Sequence, residues 1–451
     1  MDLRERLRLL KAAGASRAQG SSGARAASPH AAAQHPGSKA GAGDAPSRPI
    51  PAVAGGALEG FLRTTPAGET FYMETRYPVE YCRGPLPLEA VYQVPSSVWD
   101  LLGRVPPTVD MRQAVFLDTE TTGLAGGSGT YAFLVGLGFF QGTDFVVRQY
   151  FLRDYPEEDA LLEAVAADLT PCRLLVTFNG KAYDWPLLET RFRLNRRPPP
   201  LAGVPHLDLL HPARRIWRER LPECSLTTLE AQILGVVRQG DVPGSLIPQR
   251  YFDYLRSGDA APLADVVLHN RMDIVSLVSL AAWLGRMAAD PFSPSPDGEL
   301  VPGDDLFALG RLYLSRGGFP AGIRCLEGAR ERGVTCVSEA RLQRELSAAY
   351  KRVKAHQEAL AIWQEMTRGS GGLSLYPYVE MAKYYEHVAH DYRTAHAVTK
   401  QALTIAEQRR SMAGGQNPAA RRDLEAVRHR LNRLERKLGS DPNEEPPYPT
   451  A

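Results

Sequence analysis

Two carboxylates that could share a cation, Asp118 and Glu120, directly follow the apolar run Ala114–Leu117. An apolar run of this length predicts a short buried strand. Alternate side chains of a strand point the same way, so both carboxylates are expected on one face. Ionised carboxylates held side by side repel each other, and a cation between them relieves the repulsion. Because oxygen ligands suit Mg²⁺ and Mn²⁺, the pair favours a metal site over a strand that merely ends in a polar turn.

Two later segments carry carboxylates in settings that favour the same chemistry. Asp184 comes shortly after a second apolar run, Leu174–Phe178, which predicts another buried strand. Asp273 lies in a long stretch whose apolar residues recur at helical spacing. His269 precedes Asp273 by four residues, and residues at that spacing share one face of a helix. An imidazole can accept a proton near neutral pH, so this helix offers a candidate base beside a carboxylate.

Together these segments resemble, in order, the three motifs of the DEDD exonucleases, whose catalytic domain has a ribonuclease H-like fold. The string Asp-Thr-Glu-Thr-Thr-Gly-Leu at residues 118–124 matches the first motif. Asn-x-x-x-Tyr-Asp at residues 179–184 matches the second, and His-x-x-x-Asp at residues 269–273 matches the third. The resemblance implies a metal-dependent 3′→5′ exonuclease that hydrolyses phosphodiester bonds of DNA or RNA.

The chain is similar to the YprB-type branch of these proteins, in which a ribonuclease H-like domain precedes helical repeats. The Gly-rich continuation at residues 123–131 supports this branch, as do the segments at residues 224–230 and 241–244. The resemblance covers about residues 64–287 and extends more loosely to the C-terminal helices. It implies that the C-terminal region consists of tetratricopeptide-like repeats.

The resemblance also assigns roles to single residues. Asp118, Glu120, Asp184 and Asp273 are expected to hold two divalent metal ions, Mg²⁺ or Mn²⁺, roughly 4 Å apart. The residues expected to contact the terminal nucleotide or a phosphate are Thr121, Thr122, Leu124, Asn179 and Lys181.

His269 departs from the pattern of both subtypes of the family. One subtype has a tyrosine four residues before the last aspartate, and the other has a histidine five residues before it. This chain has a histidine at the tyrosine spacing. We interpret His269 as the general base or a group that orients the attacking water, with a structural or substrate-contact role as the alternative.

The order of elements predicts an α/β fold of ribonuclease H type, a mixed sheet flanked by helices. Short turns join strands at residues 114–117, 131–140 and 145–152, which implies an antiparallel meander. An amphipathic helix at residues 157–169 then leads to the strand Leu174–Phe178, and such a crossover favours a parallel strand. A C-terminal all-α region of helical repeats completes the predicted fold class.

Composition and repeated patterns divide the chain into six regions. The alanines Ala321, Ala359 and Ala395 each follow a tyrosine and are 38 and 36 residues apart, a period that suits tetratricopeptide-like repeats. The regions are a disordered basic Ala/Gly/Ser/Pro-rich tail (1–58), an accessory segment (59–110), the exonuclease domain (111–288), a linker (289–305), the repeats (306–440) and a polar tail (441–451).

Two further features have two interpretations each. Four arginines at positions 214, 215, 218 and 220 interleave with Trp217, which predicts either a stripe for phosphates and bases or a solvated helix face with one buried tryptophan. Asp208 matches a fourth acidic position of such domains, and a helix cap or a supporting group is favoured over a metal ligand.

Overall composition narrows the class of protein only slightly. The net charge of +2 spread over 451 residues creates no global field for nucleic acid. Five scattered cysteines without a C-x-x-C pair fit a reducing cytoplasm, and no apolar run is long enough to predict a membrane span. The expected partners are nucleic acid and, through the repeats, a protein. The competing hypothesis is a non-catalytic nucleic-acid-binding or scaffold protein, but carboxylates at all four metal positions favour the enzyme.

Overall fold

The computed structural model describes residues 49–50, 58–123, 129–368, 374–412 and 417–439. The predicted substrate contact Leu124, the predicted C-terminal tail and nearly all of the predicted N-terminal tail lie outside these ranges.

One mixed sheet of eight strands forms the centre of the described fold, with the spatial order β1-β2-β3-β6-β5-β4-β7-β8. Neighbouring strands are antiparallel except for β7, which is parallel to both β4 and β8. The predicted antiparallel meander, here β4-β5-β6, and the predicted parallel crossover to β7 are therefore confirmed. The strands are β1 (Pro49–Ile50), β2 (Gly60–Thr65), β3 (Gly68–Pro78), β4 (Ala114–Thr121), β5 (Ala132–Gln141), β6 (Asp144–Phe151), β7 (Leu174–Thr177) and β8 (His206–Asp208).

Helices cover both faces of this sheet, which is why β4 begins with a continuous apolar run. Val115 and Leu117 face one hydrophobic core, while Phe116 faces the other. The helices of this part are α1 (Ala90–Gln93), α2 (Ser96–Gly103), α3 (Glu158–Leu169), α4 (Asp184–Leu194), α5 (Leu210–Trp217), α6 (Leu226–Leu229), α7 (Ile247–Ser257) and α8 (Ala264–Ala289).

The helix α8 is unusually long and apolar. By length and apolar composition alone, Ala261–Ala289 could cross a membrane, although the sequence predicted no segment of that kind. Burial inside the protein covers 72% of its most apolar 18-residue window. The helix α8 packs on strands β4, β5 and β6 on one side and on α1 and α2 on another. This position in the protein core accounts for its apolar composition.

Seven further helices lie in the described part of the C-terminal region, and consecutive ones pack against each other. Their packing suits a helical-repeat array, while the tetratricopeptide assignment remains a prediction. Their bounds are α9 (Gly303–Ser315), α10 (Phe319–Arg332), α11 (Glu339–Arg352), α12 (His356–Arg368), α13 (Tyr376–His387), α14 (Tyr392–Met412) and α15 (Pro418–Leu438).

The first C-terminal helices share a hydrophobic core with the sheet region. Trp217 of α5 and Phe307 of α9 belong to the same buried cluster. Trp217 also donates a hydrogen bond from Nε1 to Asp305 Oδ2 at 3.1 Å, and Arg220 binds the same carboxylate through two bonds of 2.8 Å. This buried carboxylate fastens α9 onto α5.

Candidate active site

The sheet and two helices bring the residues of the three sequence motifs to one place. Asp118 and Glu120 lie on β4, as the strand alternation predicted, and Asp184 is the first residue of α4. The backbone N–H and the Oγ1 hydroxyl of Thr119 both donate to Asp184 Oδ1, at 3.2 and 2.6 Å. These bonds tie the second motif directly to the first, and α8 brings the third motif against β4.

Asn270 holds the carboxylate of Asp118 and is the residue that ties α8 to β4. Its Nδ2 donates to Asp118 Oδ2 at 2.8 Å and to the Asp118 carbonyl at 3.2 Å. Gln149 of β6 donates to Asn270 Oδ1 at 2.8 Å, which fixes the orientation of the amide. Asn270 is fully buried, and a buried polar residue needs such partners. The sequence carried a signal for it, since Asn270 precedes Asp273 by three residues on the same helix face.

Gly136 of β5 makes this approach possible, because it lies opposite Asp118 in the sheet. A Cβ atom at Gly136 would overlap with Asn270 Oδ1 and with Ile274 Cδ1. We therefore expect Gly136→Ala to destabilise the fold by about 1 to 3 kcal/mol through overpacking and to displace Asn270 from Asp118. Chemical denaturation and metal-dependent cleavage should both report the change. The control is Gly439→Ala, where the added methyl has room; equal stability of the two variants would contradict the predicted overlap.

His269 is positioned by an acidic partner that the sequence did not identify as a functional residue. Its Nδ1 lies 2.7 Å from Asp241 Oδ1. Its Nε2 lies 3.9 Å from Glu120 Oε1 and 3.6 Å from Asp273 Oδ2. When Nδ1 carries the hydrogen and donates it to Asp241, Nε2 faces the carboxylates with a free lone pair.

Arg238 is a third functional candidate, after Asn270 and Asp241, that sequence reasoning missed. Its guanidinium donates to Glu230 Oε2 at 2.6 Å and to Oε1 at 2.9 Å, contacts Asp273 Oδ1, and lies 3.3 Å from Asp241 Oδ2. Glu230 is completely buried and also binds Arg83. Arg238 and Asp241 lie in a connecting segment whose residue pattern predicts no side-chain direction, so only the fold could place them.

Burial and mutual repulsion dominate the electrostatics of the four motif carboxylates. Burial raises the pKa of Asp118 and of Glu120 well above the ordinary range, and in both cases nearby Asp273 and Asp184 add to the rise. Burial also raises the pKa of Asp273, which Arg238 partly offsets. Burial raises the pKa of Asp184 to about 6 despite the hydrogen bonds from Thr119. Four carboxyl groups thus compete for protons in one buried place.

The donor chemistry of this cluster fits a divalent cation. All four groups are oxygen donors, and the cations in ion-pair contact with them, among the described residues, are Arg238 and His269. Within the same residues, no three His, Cys, Asp or Glu side chains form a ready ligand set. Oδ1 of Asp184 faces Thr119 and Oδ1 of Asp273 faces Arg238, so Oδ2 of each carboxylate is the oxygen available to an ion. The excess of buried negative charge supplies the driving force.

The raised pKa of Asp184 predicts how the metal-free protein responds to pH. An aspartate in the unfolded chain titrates near pH 4, whereas Asp184 in the fold titrates at about 6. Between these values the folded state binds the proton more tightly, so its stability should fall as pH rises from about 4 to about 6. A cation competes with that proton, so Mn²⁺ affinity should weaken below about pH 6. Thermal unfolding with EDTA and calorimetric titration with Mn²⁺ measure the two effects, and Asp184→Asn should reduce both; identical Mn²⁺ affinity at pH 5 and pH 7 would contradict the assignment.

The other predicted site residues line the loops around the carboxylates. Thr121 Oγ1 donates to the Gly123 carbonyl at 2.9 Å, and Thr122 Oγ1 accepts from the Tyr131 N–H at 2.9 Å. Both hydroxyls therefore shape the turn after β4. Lys181 is exposed beside the site. Their contacts with a nucleotide remain predictions.

Asp208 organises the loop that follows β7. It accepts hydrogen bonds from the backbone N–H groups of Asn179 at 2.7 Å, Lys181 at 3.1 Å and Leu210 at 3.1 Å. These bonds hold Asn179 in a left-handed backbone conformation with φ of 64°. Asp208 thus acts as the cap and supporting group that the sequence favoured.

Comparisons with known proteins bear on the family of this chain. A family model described as the RNase_H superfamily matches residues 115–285. YprB of Bacillus subtilis (strain 168), itself described as uncharacterized, is 34% identical over 328 residues, covering 72% of this chain and 75% of YprB. A family B DNA polymerase from Pyrobaculum calidifontis matches with a TM-score of 0.32 and 15% identity, over 55% of this chain and 34% of the polymerase. The YprB match shows that this chain belongs to the family of YprB, and residues 115–285 match the RNase_H superfamily.

Proposed function

We propose that the protein is a metal-dependent 3′→5′ exonuclease of the DEDD type that hydrolyses phosphodiester bonds of DNA or RNA. The observation that carries the proposal is the convergence of Asp118, Glu120, Asp184 and Asp273 in one half-buried cluster. Burial, together with repulsion from Asp273 and Asp184, raises the pKa of Asp118 and of Glu120, and His269 Nε2 faces two of the four carboxylates. RNase H-like nucleases generally use divalent metal ions, and the family assignment agrees with this chemistry.

The four carboxylates would hold Mg²⁺ or Mn²⁺, which supplies Lewis acidity for attack on phosphorus and for departure of the 3′-oxygen. Two supporting contacts keep the cluster in place: Asn270 fixes Asp118, and Thr119 fixes Asp184. Removal of either support should misalign a carboxylate without removing its charge.

His269 accepts the proton of the attacking water at Nε2 in this proposal. Asp241, 2.7 Å from Nδ1, orients the ring and stabilises the imidazolium that forms, as a carboxylate does for a catalytic histidine elsewhere. Arg238 binds Asp241 and Asp273 together, so it holds the base and a carboxylate of the cluster at a fixed separation.

The terminal nucleotide would bind at the loops beside the cluster. Thr121 and Thr122 shape the turn after β4, and Leu124 follows them in sequence. Asn179 and Lys181 lie in the loop that Asp208 organises. A site formed by two loops at the edge of the cluster suits the end of a nucleic-acid strand. This favours an exonuclease over an endonuclease.

The test is cleavage of end-labelled single- and double-stranded DNA and RNA by the purified protein with Mg²⁺ or Mn²⁺. A 5′-labelled strand should shorten progressively to a ladder, while a 3′-labelled strand should release its label at once. Asp118→Asn is the control against contaminating nuclease. Internal cleavage would contradict the exonuclease assignment, and binding without any cleavage would support the non-catalytic alternative.

A further inference from the structure

The helix α5 presents one continuous basic face. His211, Arg214 and Arg215 of α5, with Arg218 directly after its last residue, follow the spacing i, i+3, i+4 and i+7, which places them on one side of a helix. All four are exposed. The opposite side of α5 is buried, and Trp217 has no exposed surface at all. The tryptophan of the predicted stripe therefore cannot stack on a base, because it packs on α9 and binds Asp305.

A groove of about 310 Å³ lies between this basic face and α9. Arg214, Arg215 and Arg218 line one wall, and Arg311 lines the other with Ser315. Glu219 is the acidic residue of the lining, and Arg341 pairs with it at 2.6 Å. Arg311 lies 3.8 Å from Glu219 and 3.5 Å from Glu345. Within the described residues the three arginines of α5 form no ion pair. Unpaired guanidinium groups gathered in a concave surface are suited to bind an anion bidentately.

Two more arginines extend the positive charge at one end of the groove. Burial and the neighbouring guanidinium groups of Arg104 and Arg215 lower the pKa of Arg316, and the nearby Asp100 offsets part of this effect. Within the described part of the chain, neither Arg104 nor Arg316 has an ion pair. Repulsion among these cations destabilises the folded state of the free protein, and binding of a polyanion would relieve it.

The basic face also connects with the loop of the proposed catalytic site. The strand β8 precedes α5, and its last residue, Asp208, binds the backbone of Asn179 and Lys181. Burial, with the nearby Lys181 and His211, lowers the pKa of His206 to about 4. Lys181 and the first residue of the basic face therefore lie close enough to influence the same imidazole. Positive charge runs from the catalytic loop along α5 into the groove.

We propose that this groove binds the phosphate backbone of the nucleic-acid strand whose 3′ end occupies the carboxylate cluster. The inference rests on the proposed function, because it takes the bound polyanion to be the substrate strand. Arginine contacts to phosphates carry no sequence information, so the groove confers affinity for long strands without sequence preference. It also gives the C-terminal helices a part in substrate binding, since α9 supplies one wall.

The test compares the triple variant Arg214→Ala, Arg215→Ala and Arg218→Ala with the wild-type protein. Fluorescence anisotropy in EDTA measures the binding of a labelled single strand of about 30 nucleotides across a range of salt concentrations. We expect the affinity to fall about tenfold to a hundredfold. The slope of log K against log salt should become shallower by about 2, since each phosphate of a single strand that the protein neutralises contributes about 0.7.

A matched control removes the same charge from exposed arginines elsewhere. Arg352, Arg410 and Arg422 lie on α11, α14 and α15 and, within the described residues, form no ion pair. Their replacement by alanine should leave affinity and salt slope within about twofold of wild type. If the control variant lowers binding as much as the α5 variant, the proposed role of the groove is wrong, because net charge alone would then explain the weaker binding.

Cleavage distinguishes failure of the groove from failure of the proposed function. The α5 variant should keep its kcat/KM on a trinucleotide with Mn²⁺ within about twofold of wild type, and its kcat/KM on the long strand should fall at least tenfold, because only a long strand places several phosphates along the groove. Wild-type cleavage together with unchanged long-strand binding by the α5 variant would overturn the groove and assign the arginines to another anion, such as an acidic protein. Absence of wild-type cleavage on every nucleic acid would instead overturn the function and, with it, this inference.

Discussion

Replacement of Asp118 or Asp184 by asparagine is expected to reduce the single-turnover rate of cleavage by on the order of 10³-fold or more. Asparagine keeps the shape of the side chain and an oxygen that can accept the hydrogen bonds of Asn270 or Thr119. The change therefore removes charge and leaves the local geometry. The cation is held by the negative charge of its carboxylate ligands, so loss of either charge weakens metal binding directly.

The same variants should be at least as stable as the wild-type protein when EDTA is present. Each removes a negative charge from a half-buried cluster in which burial and the neighbouring Asp273 and Asp184 raise the pKa of Asp118 and of Glu120, so the melting temperature should rise by roughly 2 to 4 °C. Addition of Mn²⁺ should stabilise the wild-type protein more than either variant. Asp297→Asn, at an exposed aspartate outside the cluster, is the control. Near-normal cleavage by either cluster variant would contradict the metal site, and a lower melting temperature in EDTA would contradict the repulsion.

Replacement of His269 by alanine is expected to slow the chemical step by about 10²- to 10⁴-fold, the usual contribution of a general base. Affinity for Mn²⁺ should change little, because the four carboxylates remain. Single-turnover rates at saturating Mn²⁺ separate the chemical step from metal binding.

Two companion variants give the test of His269 its specificity. Asp241→Asn retains the ring and should lose only part of the rate, because the oriented partner at 2.7 Å from Nδ1 is weakened and the base is still present. His269→Tyr should recover part of what alanine loses, because a phenol at this position can orient the same water. His429→Ala, an exposed histidine of α15, is the control. An unchanged single-turnover rate in His269→Ala would reduce the residue to a structural role.

Much of the fold could be predicted because three local patterns are strong. The apolar run before Asp118 predicted β4, the crossover predicted a parallel β7, and the i, i+4 spacing placed His269 and Asp273 on one face of a helix. Each of these patterns is formed by residues close together in the sequence, so the sequence alone is enough to recognise it. That these residues act in catalysis is a prediction, which the cleavage rates of the variants test.

The parts of the candidate site that escaped prediction depend on contacts distant in sequence. Asn270 binds Asp118, which is 152 residues away, and takes its orientation from Gln149, which is 121 residues away. Arg238 comes from an irregular segment and contacts Asp273 across 35 residues. A helical pattern shows that Asn270 faces inward with Asp273, but it cannot show which carboxylate the amide will meet. Only the packing of α8 on the sheet decides that.

Gly136 of β5 has no side chain, and the residues that can stand at positions 136, 270 and 274 therefore depend on one another. Both Gly136 and Gly138 lie under α8, where an added methyl would strike Ile274 at either place and Asn270 at the first. A lineage that acquires a larger residue at 136 must therefore also accept a smaller residue at 274 and give up the asparagine at 270. Losing the asparagine leaves Asp118 without its amide donor. Substitutions at these positions should accordingly appear together or not at all among relatives, and chimaeras that exchange β5 without α8 should fail.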